Sequence, residues 1–358
     1  MIAGLPPRAR LPLLALGFAS LLAGIAGGFA RLGLEPMPIS DDGVLLHGAL
    51  MASGFFGTVI SLERAVALDR LWAYAAPLAC GVGGLALAIG VPLAGPVLML
   101  AGALLLLAMS AAFLGRQNSL ESWTMAGGAA CWCVGNGAFA SGATVAAAVP
   151  WWLAFFALTI GAERLELSRY MPRTRAVQVA FIVIALALPA SALFSLPVQG
   201  AVLVALAAWL FAFDIARKTM RVTGLPRYIA VCLLGGYAWL AIGGSILAAM
   251  VVQRAGPLYD AALHAFFVGF VFLMVFGHAP VILPAVLRVE LGYSQWFYLP
   301  VFALHLSLVL RVGGDLAGSY GVRVAGSIGN ALAIAMFIVI AATAALRRAA
   351  PPTAARRR

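Results

Sequence analysis

The chain has 358 residues, of which 64% are hydrophobic and only 10% charged, with a mean hydropathy of +1.04. A soluble globular domain carries about 25% charged residues, so this composition excludes a pair of soluble domains and points to a polytopic membrane protein. The net charge of +11 would suggest a nucleic-acid partner in a soluble protein. Here the basic residues sit in short loops and at the C-terminus, where they mark topology.

Windows of about 20 apolar residues predict twelve spans, at roughly 11–30, 43–62, 72–92, 95–114, 121–141, 143–162, 176–195, 198–215, 228–251, 259–280, 295–313 and 323–346. The first follows Arg8 and Arg10, and its apolar run of near 20 residues is longer than a signal-peptide core, so it reads as a retained helix. The fifth and sixth are separated only by the weak break "SGATVAAAVP". The predicted fold is therefore all-α, a single integral membrane domain over residues 1–358. With the N-terminus inside, only Arg31, Arg254, Arg311 and Arg323 of the 23 Lys and Arg residues fall in outer segments. This is the positive-inside pattern. It predicts both termini on the cytoplasmic side, with the lipid bilayer as first partner; the expected location is a bacterial inner membrane. The four cysteines (Cys80, Cys131, Cys133, Cys232) lie within apolar spans, which argues against a disulfide framework.

The four histidines carry the functional signal. His47, in "DDGVLLHGALMASGFFG", opens the second span, and His264, in "YDAALHAFFVGFVFLMVFGHAP", opens the tenth. In this topology both lie roughly 5–10 Å below the outer end of their helix, at 1.5 Å rise per residue. Two facing imidazoles at one depth meet the requirement for axial ligation of a haem iron. Intramembrane histidines also hydrogen-bond across helices or line aqueous cavities, so depth alone leaves both readings open.

His278, 14 residues after His264, returns to within about 40° of the same helical stripe. It precedes Ala279-Pro280, where the helix is predicted to end; it reads as a helix-end cap or as a second metal ligand. His305 lies mid-membrane in "FYLPVFALHLSLVLRVGGD", a costly depth for an idle polar group, which suggests a ligand or proton-path role. Arg311 and Asp315 have the spacing of an i,i+4 surface pair. Arg311 also reaches the level of His47 and His264, where it could neutralise haem propionates.

Cys131 and Cys133 of "CWC", with Met125 below, offer sulfur ligands suited to Cu(I), although buried cysteines ordinarily act as small apolar residues. Glu63 and Arg64, ending the second span, suggest an inner-interface ion pair. The sequence has no Walker A motif, no GxGxxG, no HExxH, no GxSxG and no C-x-x-C-H, so covalent c-type haem is not expected.

The "HGALM" stretch opening the second of twelve spans resembles the haem–copper oxidase superfamily, whose main subunit carries an H-G-x-x-M stretch there. In size and histidine number the chain is more similar to the NnrS family, twelve-span proteins that bind haem and copper and are linked to nitric oxide defence and denitrification. The similar segments are "LHGALMASGFFGTVI", "LHAFFVGFVFLMVFGHAPVILP" and "LHLSLVLRVGGD". The resemblance implies an oxidase-like helix bundle with His47 and His264 as ligands of a low-spin haem b. Copper is its second implied metal.

The oxidase family's binuclear-centre histidines have no counterpart, because the sixth and seventh spans contain no histidine and His264 has no neighbouring H-x-H partner. At the second span the NnrS pattern is H-E-M where this chain has "HGALM". The resulting expectation is a membrane haem protein of nitric oxide or respiratory redox metabolism, with a diatomic gas or a respiratory electron donor as partner. It would be an oxidoreductase if it turns over a substrate. A twelve-helix secondary transporter and an assembly factor for a respiratory complex are the rival expectations.

Overall fold

The computed structural model describes residues 4–34, 46–91, 93–168, 171, 173–250 and 255–349. The predicted start of the second span at 43–45, the last predicted residues of the third and ninth, Arg169, Arg254 and the tail from 350 lie outside the described residues.

The described chain is helical throughout. Its long helices are α1 (Pro7–Ala30), α2 (His47–Leu68), α3 (Leu71–Ala88), α4 (Ala94–Arg116), α5 (Leu120–Ala140), α6 (Val145–Leu167), α7 (Arg175–Phe194), α8 (Leu196–Phe213), α9 (Leu225–Ala249), α10 (Pro257–Leu287), α11 (Gln295–Leu316) and α12 (Tyr320–Ala349). Among the described residues, eleven helices are long and apolar enough to cross a membrane. The other, α5, has 21 residues, but Trp, Asn and four glycines lower its hydropathy, and it packs along α4 and α6. Links are short, and Ser195 alone joins α7 to α8, its hydroxyl accepting from Val198 N–H as the N-cap.

Without a water-driven force between helices in lipid, the bundle is held by close packing and buried polar bonds. Ser53 Oγ donates to Asn136 Oδ1 at 2.8 Å, joining α2 to α5, and Gln199 Nε2 donates to the Pro150 carbonyl at 2.7 Å, joining α8 to α6. Between α2, α6 and α10 an aromatic cluster forms, with Phe56 edge-on to both Phe156 (5.3 Å) and Phe272 (4.9 Å) and Phe156 edge-on to Phe267 (5.5 Å). It lies directly beneath the site described below.

Two expectations are corrected. The tenth helix does not end at Ala279-Pro280; it continues through Pro280 and Pro284 to Leu287. Pro280 has no N–H to give the carbonyl four residues back. The Tyr228 hydroxyl takes that place, donating to the Phe276 carbonyl at 3.0 Å. Farther on, buried Arg10 donates to the Val286 carbonyl at 2.6 Å, tying α1 to the last turn. Tyr228→Phe is expected to leave the Phe276 carbonyl unpaired and cost about 1–3 kcal/mol, read as a lower melting temperature in detergent.

Nor do Glu63 and Arg64 form a salt bridge. Adjacent helical side chains point about 100° apart, and the Arg64 guanidinium instead lies over the Phe113 ring, 4.6 Å from its centroid.

Candidate functional site

A cavity of about 500 Å³ opens at one end of the bundle, lined by α1, α2, α6, α10, α11 and α12. His47 and His264 both line it, together with Arg311. These are residues that sequence depth alone had matched. Neither histidine packs into the apolar core; each is half-buried.

The two histidine helices share a local feature. Just after His47, α2 widens into π-type turns over Leu50–Phe55, and just after His264, α10 does so over Ala265–Val271. Such insertions re-aim the side chains of the adjoining turns and are frequent at functional sites. Each widened segment contains a glycine, Gly54 or Gly269, pressed against a neighbouring helix. Neither was legible from the period of the apolar residues.

The His47 ring lies beside Gly28 of α1, where a Cβ would fall 3.5 Å from Nδ1; no described residue hydrogen-bonds to His47. His264 is held differently. Its Nδ1–H donates to the Asp260 carbonyl at 2.8 Å, one turn earlier. That fixes the tautomer and leaves the Nε2 lone pair for another partner.

At the mouth stands a chain of alternating charge. Arg311 pairs with both Asp260 and Asp315, and Arg323 of α12 lies 3.9 Å from the other oxygen of Asp315. The expected Arg311–Asp315 pair exists, but not on the surface: Arg311 is 3% exposed and the Asp315 side chain 0%. Close approach of α11 and α12 brings the chain together, since a Cβ on Gly326 would fall 2.3 Å from the Arg311 backbone nitrogen. Arg31, exposed at the end of α1, adds a third guanidinium to the lining. Among the described residues, three cations against two carboxylates leave an excess positive charge. With Arg311 already neutralised, that excess rests with Arg31 and Arg323. The walls below are apolar and aromatic, including Phe56, Trp152, Phe267 and Phe272.

His278 and His305 are not part of this cavity. His278 Nδ1–H donates to the Met274 carbonyl at 2.8 Å, and Nε2 accepts from Arg164 Nη1 at 3.2 Å. Both ring nitrogens are thus hydrogen-bonded within the protein, and the helix runs on past it to Leu287, so it is not the predicted helix-end cap. Arg164 is in turn bidentate to Asp214, at 2.7 and 3.1 Å. His305 Nδ1 accepts from Trp239 Nε1 at 2.9 Å, and its opposite edge lies over Gly235, where a Cβ would come within 2.7 Å of the ring. It therefore acts as an interhelical hydrogen-bond partner between α9 and α11.

Cys131 is buried and Cys133 half-exposed, and all four cysteines are free. Among the described residues no three His, Cys, Asp or Glu side chains converge to hold a metal ion. A copper site on the "CWC" segment therefore has no third ligand of those types there.

The cavity has the size and lining of a cofactor pocket. The volume lies within the roughly 300–1,000 Å³ of cofactor pockets, two imidazoles and flat aromatic walls line it, and Arg323 Nε has no hydrogen-bond partner among the described residues. Sequence reasoning missed Asp260, whose only signal is its position four residues before His264, and the Arg164–Asp214 pair.

A family profile described as a domain of unknown function, DUF8744, matches residues 10–346. The chain belongs to this family. The match takes in every helix that lines the cavity, so the site lies wholly inside the family's domain. No curated protein and no solved structure matches the chain.

Proposed function

We propose that this protein is a twelve-span membrane haem protein, with both termini on the cytoplasmic side of a bacterial inner membrane and a b-type haem held between His47 and His264 near the outer face. The observation carrying this reading is that two histidines 217 positions apart in sequence line one cofactor-sized cavity on helices that both widen at that point. Arg323 and Arg31 would face the propionates, the role first expected of Arg311. Asp260 would orient His264, and Phe56, Phe267 and Phe272 would pack against the macrocycle and exclude water. Bound haem would supply one-electron transfer or diatomic-gas binding. The assignment to nitric oxide or respiratory redox metabolism rests on the resemblance of "HGALM" and its companion segments to the NnrS and oxidase families.

Protein purified from haem-replete cells is expected to show a Soret band and a b-type pyridine-haemochrome spectrum. A colourless preparation that takes up no haem on reconstitution overturns the proposal. A secondary transporter is the second reading, favoured by the interruption of α2 and α10 at a cavity. Specific substrate counterflow in proteoliposomes lacking haem would select it.

A further inference from the structure

Resting on the haem reading above, we propose that Asp260 is a positioning residue that makes the two histidines electronically unequal, giving His264 the character of a strong-donor ligand. Three observations carry it. The His264 Nδ1–H is committed to the Asp260 backbone at 2.8 Å, and Asp260 Oδ1 lies 3.6 Å from the same nitrogen. A single residue thus places both a carbonyl and a carboxylate behind one imidazole.

The carboxylate cannot turn away freely. Its other oxygen is paired with Arg311, a side chain only 3% exposed that is itself anchored by fully buried Asp315. Among the described residues His47 has no such support: none hydrogen-bonds to it, and the field it feels from Asp260 is opposed by the cations Arg31 and Arg311.

A carboxylate or carbonyl behind a ligating imidazole raises its basicity and fixes its orientation, and axial-ligand basicity and nearby charge are levers on haem potential. The negative charge of Asp260 favours the ferric state, so its loss favours the ferrous state. The buried Arg311–Asp315 pair keeps that charge in place, which gives the mouth network a role beyond closing the cavity.

The test is a potentiometric titration of the full-length, haem-loaded protein in detergent. Asp260→Asn is expected to shift the oxidised-to-reduced ratio at fixed potential about tenfold toward reduced, ~59 mV for a one-electron couple. Asp260→Glu, which keeps the charge and the backbone carbonyl, is expected to stay within about threefold of the unmutated protein. A variant Asp260→Asn that fails to load haem while Asp260→Glu loads it also supports the assignment, because both retain the carbonyl. An Asp260→Asn protein with full haem content and a ratio unmoved, or moved toward oxidised, overturns the role of Asp260 and leaves the haem reading standing. A wild-type protein that binds no haem overturns both.

Discussion

Alanine at either His47 or His264 is expected to abolish the low-spin haem spectrum while the protein still inserts and accumulates in the membrane. Neither side chain belongs to the packed core, so truncation creates no cavity among close-packed apolar groups. His47→Ala breaks no hydrogen bond to a described residue. His264→Ala gives up one bond to the Asp260 carbonyl, worth about 1 kcal/mol.

The spectral consequence is much larger, because each histidine would supply one of the two ligands that hold a haem in the proposed site. His47 lines an open cavity, so added imidazole is expected to restore part of the signal in His47→Ala. His278→Ala and His305→Ala serve as controls that keep the spectrum, since both rings are committed to protein hydrogen bonds away from the cavity. Difference spectroscopy on the four variants, normalised to protein, decides the matter. A low-spin signal surviving in both His47→Ala and His264→Ala would rule out this ligand pair.

The largest effect on stability is expected at Asp214. Its carboxylate takes both hydrogen bonds from Arg164 and also accepts the Ala216 backbone N–H at 2.6 Å. The two side chains are 0% and 3% exposed. Asp214→Asn leaves the Arg164 guanidinium buried with no counter-charge in direct contact, and breaking a buried pair from one side costs about 3–5 kcal/mol. His278, which accepts from the same guanidinium, cannot compensate as a neutral ring. Removing both charges together, Arg164→Met with Asp214→Leu, is expected to cost far less, because no uncompensated charge then remains buried. Thermal melting in detergent with both variants is the measurement. A single variant as stable as the wild type would show that water reaches this pair.

Much of the architecture is legible from local composition. Runs of apolar residues near 20 long predict helices of membrane-crossing length, because backbone groups in lipid must be satisfied within the segment itself. The helix ends at Gly142, Gly256 and Gly318 fall where glycine adopts positive φ. Prolines were the weaker guide. Pro280 was expected to stop α10, yet the helix continues because a hydroxyl from α9 takes the freed carbonyl. No window around Pro280 contains Tyr228. The separation of Glu63 and Arg64, by contrast, follows from local helical geometry, which turns adjacent side chains about 100° apart.

At the site, the sequence by itself determined the helical class and the membrane-crossing length of the apolar segments, and it singled out His47 and His264 as a pair, since each reading depends only on residues within one helix and on the alternation of spans. Tertiary structure alone decided which polar groups meet. It brought His47, His264, Arg311 and Arg323 to one cavity, assigned His278 to Arg164 and His305 to Trp239, and placed Asp260 between an imidazole and a guanidinium. These pairings depend on how each helix is rotated about its axis, and that rotation is set by neighbouring helices, by close glycine contacts such as Gly326 against Arg311, and by the π-type turns after each histidine. An added residue in one turn re-aims the side chains that follow it without altering composition, which is why the cavity could not be read from the chain alone.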